Sequence, residues 1–267
     1  RLFAKAVLPR YAFPTDVVSF YVFDDKASSQ WTRPVTRYSP QQGLVAALGQ
    51  YAPGKDVWVD GLKWRSMAIW SPYKADIERA FARQKLYQEC DRCGYARATP
   101  RGGDVHLYQP ADCPACKAPG SMTPAMRWIR PPGFAHPVNV EPGLPGTSDA
   151  PLTRPTRAKL SAPFTGDERA PSWTTGGMTA WVGREELIVT NVGPDDAPGD
   201  RGFLYCPRCG RAEPNGWAEG ELNSKAGHAA PTPRRRGQPA RCDGYAYPIV
   251  LGCELARVEL QGLSGRR

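Results

Sequence analysis

Apolar positions in this chain come in short bursts separated by proline and glycine, and few keep a helical period. The first burst, Val17, Val18, Phe20, Tyr21, Val22 and Phe23, is β-branched and aromatic and predicts a buried strand. Ser39-Pro40-Gln41-Gln42 reads as a helix start, with Ser39 as cap, Pro40 at the first helical position and Gln42 three residues after the cap. Leu44, Val45, Leu48 and Tyr51 follow at helical spacing, and Pro53-Gly54 ends the helix. Val57–Val59 and Lys63–Trp70 flank Asp60-Gly61 and predict a hairpin. A second helix is expected over Lys74–Tyr87, and Met122–Pro163, rich in Pro and Gly, is expected to be irregular. Thr156–Ala162, Thr179–Val192 (centred on Leu187, Ile188 and Val189), Gly202–Tyr205 and Tyr247–Leu260 predict further strands, the last with Ala256, Val258 and Leu260 on one face. The pattern as a whole predicts an α+β fold, strand-rich with few helices.

Cysteine spacing changes the picture most. Gln88–Gly120 carries two Cys-x-x-Cys pairs, Cys90/Cys93 and Cys113/Cys116, with nineteen residues between them. The first pair turns back at Gly94 and the second at Lys117-Ala118-Pro119-Gly120. Two facing knuckles of this kind form a tetrahedral thiolate cage, the geometry Zn²⁺ favours in a closed structural site. Cys206-Pro207-Arg208-Cys209-Gly210 is a third knuckle, which supplies only two ligands. His228, Cys242 and Cys253 are the candidates to complete it. The set Cys206, Cys209, His228 and Cys242 leaves loops of eighteen and thirteen residues. Cys253 lies inside the apolar run Ile249–Leu255, where a free cysteine behaves as a small hydrophobe, so His228 is preferred. Two Zn²⁺ ions are therefore expected, one in a zinc ribbon and one in a second zinc-stabilised, β-rich module. His106 is expected on the ribbon surface.

Composition sets the wider limits. A chain of 267 residues is long enough for one large domain or two ordinary ones. Six of the eight cysteines sit in paired knuckles, which argues for metal in a reducing compartment. No stretch has the apolar length of a membrane span or the pattern of a secretory leader, so a cytoplasmic protein without a membrane role is expected. Residue 1 is Arg, which reads as part of a longer chain. Net charge is +9 with a pI near 9.2, compatible with a polyanionic partner. The basic candidates are Arg234, Arg235 and Arg236 beside the second zinc site, and Lys63 and Arg65 on the hairpin near Trp64 and Trp70. Arginines on a metal-rigidified loop suit phosphate contacts.

Catalytic signatures are lacking. Gly49–Lys55 fits the spacing of a phosphate loop, but Asp56 stands where the Mg²⁺-binding hydroxyl belongs, and the segment ends a helix instead of opening one. A zinc-deaminase reading fails because the general acid/base Glu is missing around His106 and the Cys113/Cys116 pair. Fully ligated zinc holds a fold and does not activate water. The expectation is a chain that is not an enzyme.

Several landmarks line up in order: Leu8–Val18, Gln50–Gly54, Val59–Gly61, the four-cysteine ribbon, Pro131–Ala135, Phe203–Gly210 and Leu251–Leu255. This series resembles the C-terminal region of bacterial helicase-associated proteins with an MrfA-type zinc-binding (MZB) domain, and within them the DrmB-like proteins that accompany a DrmA helicase in DISARM antiphage systems. Ala12 departs from the family's usual Gly, and Ala256-Arg257 from its usual Thr-Asp. The resemblance implies three segments: residues 1–87 as an α+β unit, 88–120 as the four-cysteine zinc ribbon and 121–267 as an MZB-like domain. It places a His and a Cys downstream of the last knuckle, matching His228 and Cys242, and usually a different residue at the place of Cys253. It implies an accessory module acting on DNA beside a DrmA-like helicase subunit; an MrfA-like DNA-repair helicase is an alternative parent. The competing expectation is an assembly module whose zinc-held surface binds only protein. Salt-dependent nucleic-acid affinity separates the two.

Overall fold

The first apolar burst forms β1 (Val17–Phe23), with Phe20 and Val22 fully buried. The structure, a computed structural model, describes residues 16–24, 27, 34–138, 140–144, 159–160, 172–175, 178–194, 201–217, 220–222, 227–234 and 238–265. The Leu8–Thr15 part of the first landmark lies outside these.

After β2 (Thr36–Tyr38) comes a departure from expectation. Ser39–Gln42 does not open a helix: β3 (Gln41–Gly43) pairs antiparallel with Val17–Ser19, and α1 (Leu44–Gln50) starts behind Gly43 with no side-chain cap. The Leu44 amide donates to the Asp16 carbonyl. An N-cap contributes about 1 kcal/mol, and pairing these residues onto a buried strand outweighs it. Leu44, Ala47 and Leu48 face inward, and the Tyr51 amide closes the helix on Ala47. Gly49–Lys55 is thus a helix end running into a turn at Gly54.

β4 (Asp56–Val59) and β5 (Leu62–Arg65) form the expected hairpin, though its second arm stops at Arg65 and not at Trp70, with Asp60 (φ 53°) and Gly61 (φ 71°) both left-handed, as a type I′ turn requires. β6 (Ala68–Ile69) follows. The second helix, α2 (Lys74–Ala82), is shorter than its pattern suggests, because Leu86 and Tyr87 belong to β7 (Lys85–Glu89). That strand is inserted between β8 (Ala96–Pro100) and β9 (Met126–Ile129). The expectation of irregular chain after Met122 is likewise corrected by β9 and by β10 (Phe134–Ala135). β10 runs parallel to β1 and antiparallel to β6, so a five-stranded sheet has the order β2-β1-β10-β6 with β3 also on β1.

β11 (Lys159–Leu160), β12 (Ser172–Thr175), β13 (Met178–Asn191), β14 (Phe203–Tyr205) and β15 (Ala212–Pro214) come next. β16 (His228–Arg234) and β17 (Gln238–Cys242) make a separate hairpin before β18 (Tyr247–Gly265). The larger, nine-stranded sheet has the order β11-β13-β18-β9-β7-β8, with β12 on β13, β14 on β18 and β15 on β14. It takes strands from each of the segments 1–87, 88–120 and 121–267. The expected strands around Leu187–Val189, Phe203 and Tyr247 are all present; of Thr156–Ala162 only Lys159–Leu160 is described.

The strand-rich expectation holds, with two helices among the described residues. The main core lies where α1 meets both sheets and joins Phe20, Leu44, Leu48, Phe134, Phe203, Tyr205, Ile249 and Leu251. Each such side chain, fully buried, contributes about 1.5–3 kcal/mol. The Asn191 side-chain amide donates to the Leu48 carbonyl, which ties the end of α1 to β13. No described helix is long and apolar enough to cross a membrane.

Candidate metal centres

All three knuckles share one backbone pattern. The amide of the first cysteine donates to a carbonyl five residues on, and its own carbonyl accepts from the amide four residues on. The pairs are Cys90 to Tyr95 and Gly94 to Cys90 (2.7 and 3.0 Å), Cys113 to Ala118 and Lys117 to Cys113 (3.1 and 2.9 Å), and Cys206 to Arg211 and Gly210 to Cys206 (2.9 and 2.8 Å). In each the fifth residue is left-handed, at Gly94, Lys117 and Gly210 (φ 72°, 59° and 87°). Gly210 has a second reason to lack a side chain: a Cβ there would stand 2.7 Å from the Ile69 carbonyl oxygen.

The ligand atoms of Cys90, Cys93, Cys113 and Cys116 lie within 4.8 Å of one another, as do those of Cys206, Cys209, His228 and Cys242. The Sγ–Sγ separations are 3.7 Å (Cys90–Cys116), 3.6 Å (Cys93–Cys113) and 3.8 Å (Cys206–Cys242). A tetrahedron with zinc–sulfur bonds of about 2.3 Å has an edge of about 3.8 Å, so both cages fit zinc. Cys209 Sγ lies 3.2 Å from His228 Nε2. Each group could hold one Zn²⁺ through all four residues, and zinc there would clamp the chain.

The first cage is built on Met122, whose backbone bridges both Cys90 and Ala111 and so holds the two knuckles face to face. Cys90 and Cys113 are buried while Cys93 and Cys116 are exposed. Burial pushes the Cys90 thiol up, but the Ser121 hydroxyl and the Cys93 and Arg92 amides outweigh it and bring it down to about 6. The second cage is deeper, with His228 and Cys242 placed directly opposite each other across the β16–β17 hairpin. The Cys209 side chain, as hydrogen-bond donor, pulls the Cys206 thiol down to about 5 against the effect of burial, helped by the Cys209 and Arg208 amides and by His228. The partner in each cage moves the other way, Cys93 mainly by burial and Cys209 mainly as hydrogen-bond donor to Cys206, so one sulfur of each pair is favoured as the thiolate that a metal ligand requires.

Cys253 is not part of either cage. It sits in the main core on β18, 1% exposed, and burial pushes its thiol up to about 11. His106 is exposed and outside both groups. His136 is buried, with its ring nitrogens 2.9 and 2.7 Å from the carbonyl oxygens of Arg65 and Val140.

The basic candidates divide. Arg65 forks onto Asp56 (2.9 and 3.3 Å) and lies over the Trp217 ring, and Lys63 Nζ is 3.6 Å from the same carboxylate. Trp64 and Trp70 are both buried, Trp64 against His136 and Trp70 between Tyr21 and Phe23. Arg234 ends β16 opposite Gln238, at the far end of the hairpin from His228 and Cys242. Arg235 and Arg236 lie outside the described residues.

One buried pair is not visible in the sequence. Arg211 and Glu213 are at most 1% exposed and joined at 2.9 Å, with Glu213 also accepting from the Leu222 amide. Charged residues immediately after a knuckle read as surface, and no local signal marks these as interior.

The chain is 28% identical over 263 residues to Druantia protein DruE of Escherichia coli (strain UMEA 4076-1). That alignment covers 94% of this chain and 14% of DruE. No family model matches the chain, and no solved structure matches it.

Proposed function

We propose that this chain is a non-catalytic, double-zinc accessory region of a bacterial antiphage defence protein, which supports nucleic-acid binding and docking on an ATP-dependent helicase motor. The observations that carry the reading are the similarity to DruE, an antiphage defence protein, over 94% of this chain, and this chain's own two cysteine-rich cages. The DrmB-like landmarks point to the same class of system and favour a DrmA-like helicase subunit as partner. Placement in a DISARM complex, as opposed to a Druantia-type one, belongs to this proposal.

With Lys63 and Arg65 engaged by Asp56, Arg234, Arg235 and Arg236 are the preferred phosphate contacts. Replacing all three arginines with alanine is expected to weaken duplex binding at low salt by about tenfold or more. It should also flatten the salt dependence by roughly two to three units of slope. Fluorescence anisotropy across a salt series reads both. Unchanged affinity removes the three arginines from the interface. Absence of any nucleic-acid binding by the zinc-loaded chain leaves the protein-only assembly module.

A further inference from the structure

Beside the two cages, four side chains that ligate neither form a continuous ladder on the surface. Tyr108, on the ribbon between its two knuckles, stands 5.9 Å from the Arg127 guanidinium, which lies 4.9 Å from the Tyr247 ring. Tyr245 meets Tyr247 edge-on at 4.9 Å. Phe81 of α2 backs Tyr247 at 5.9 Å. The outer rings are open: Tyr108 is 51% exposed and Tyr245 73%.

Three features set this cluster apart from incidental surface aromatics. Tyr108 has φ +64°, a conformation a bulky side chain avoids, and it is held there by its amide on the Ala125 carbonyl and by Arg127 donating to its hydroxyl at 2.9 Å. Each exposed tyrosine is also tied to a metal cage. Tyr108 lies between Cys93 and Cys113, and Tyr245 follows Cys242 and Gly244, whose amide donates to Cys242 Sγ. The residues that adjoin the ladder and the second cage in sequence, finally, include several arginines. Exposed Arg208 flanks the second cage, paired to Asp243; Arg241 precedes Cys242; and Arg83 follows Phe81 by two residues.

We propose that this Tyr108–Arg127–Tyr247–Tyr245 ladder, set where the two zinc-held segments meet, is a stacking platform for single-stranded nucleic acid. It rests on the nucleic-acid reading above and deepens it. Unpaired bases offer faces that open tyrosine rings can stack on, and arginine adds cation–π and phosphate contacts; a duplex hides those faces. Charge favours this occupant over a basic-faced or apolar protein, and the open ring faces favour it over a duplex.

The test is anisotropy of a labelled oligothymidylate about 16 nucleotides long, and of a duplex, with the zinc-loaded chain. Tyr245→Ala is expected to lose roughly tenfold or more in single-strand affinity, with Tyr108→Ala similar. Tyr245→Phe, which keeps the ring, should bind as wild type, and duplex affinity should not change. Tyr245 is so exposed that its removal spares the fold, and retention of two zincs verifies this. Single-strand binding unaffected by Tyr245→Ala, while the alanine triple at Arg234–Arg236 still lowers duplex affinity, overturns the platform and leaves the broader reading intact. No binding to either DNA overturns both. Normal DNA binding with lost co-sedimentation of a helicase subunit would make the ladder a protein contact, and also overturns the platform.

Discussion

The two cages share ligand chemistry and knuckle geometry, yet they are set in different surroundings. The ribbon cage packs against a small cluster of its own, Tyr95 and Met122 with the buried cysteines, and two of its four ligands face solvent. The second cage has three buried ligands and sits beside the main core. The Ile69 amide donates to Gly210, Arg211 bridges Ala68, and Tyr205, next to Cys206, is a fully buried member of the central cluster. The same motif therefore serves as a local brace in one place and as part of the central scaffold in the other.

That contrast can be broken experimentally. The largest effect is expected from His228→Ala or Cys206→Ser. Structural zinc binding is worth about 10–16 kcal/mol in small peptides, comparable to the whole stability of a domain. Zinc content should fall from two to one, and the cooperative melt should disappear. A variant with one zinc and an intact melt would show that the second cage is not part of the scaffold, and two zincs retained by His228→Ala would return Cys253 as a ligand. Next comes Arg211→Ala, which strands Glu213 as a buried charge and should cost about 3–5 kcal/mol in urea unfolding. Pairing Arg211→Met with Glu213→Gln, which keeps an acceptor for the Leu222 amide, should recover much of that. The smallest effect belongs to Cys93→Ser. It should also lose one zinc, but shift the main transition by less than about 2 kcal/mol while opening residues 90–120 to protease. A collapse of the whole fold in this variant would erase the distinction between the cages.

How much of this can be read in advance follows the same division between local and distant. Knuckles are local, and their turns at Gly94, Lys117 and Gly210 are written in the residues that follow each pair. The Asp60-Gly61 hairpin is local too. Where expectation and structure differ, partners far along the chain decide. Ser39–Gln42 carries a sound capping signal, but β1 lies about twenty residues upstream and claims Gln41–Gly43 as a strand. Lys85–Glu89 continues a helical pattern, yet its neighbours in the sheet include Met126–Trp128, about forty residues on. Arg211 and Glu213 look like surface in sequence because their burial depends on Met67 and Leu222. Within the sequence, burial and the family resemblance favour His228 over Cys253; the decisive fact, its place opposite Cys242, requires the hairpin.

The hairpin also bears on how the second cage assembles. Cys206 and Cys209 lie three residues apart, and His228 and Cys242 are already neighbours once a short antiparallel ladder forms. The ion thus joins two halves that are each made locally, and the one long closure runs from Cys209 to His228, nineteen residues apart. The ribbon does the same between Cys93 and Cys113, twenty apart. Closing a loop of that length costs roughly 2.5 kcal/mol of chain entropy. Each ion thereby acts as a reversible cross-link between two ready-made pieces, one that a chelator opens and a reductant leaves closed.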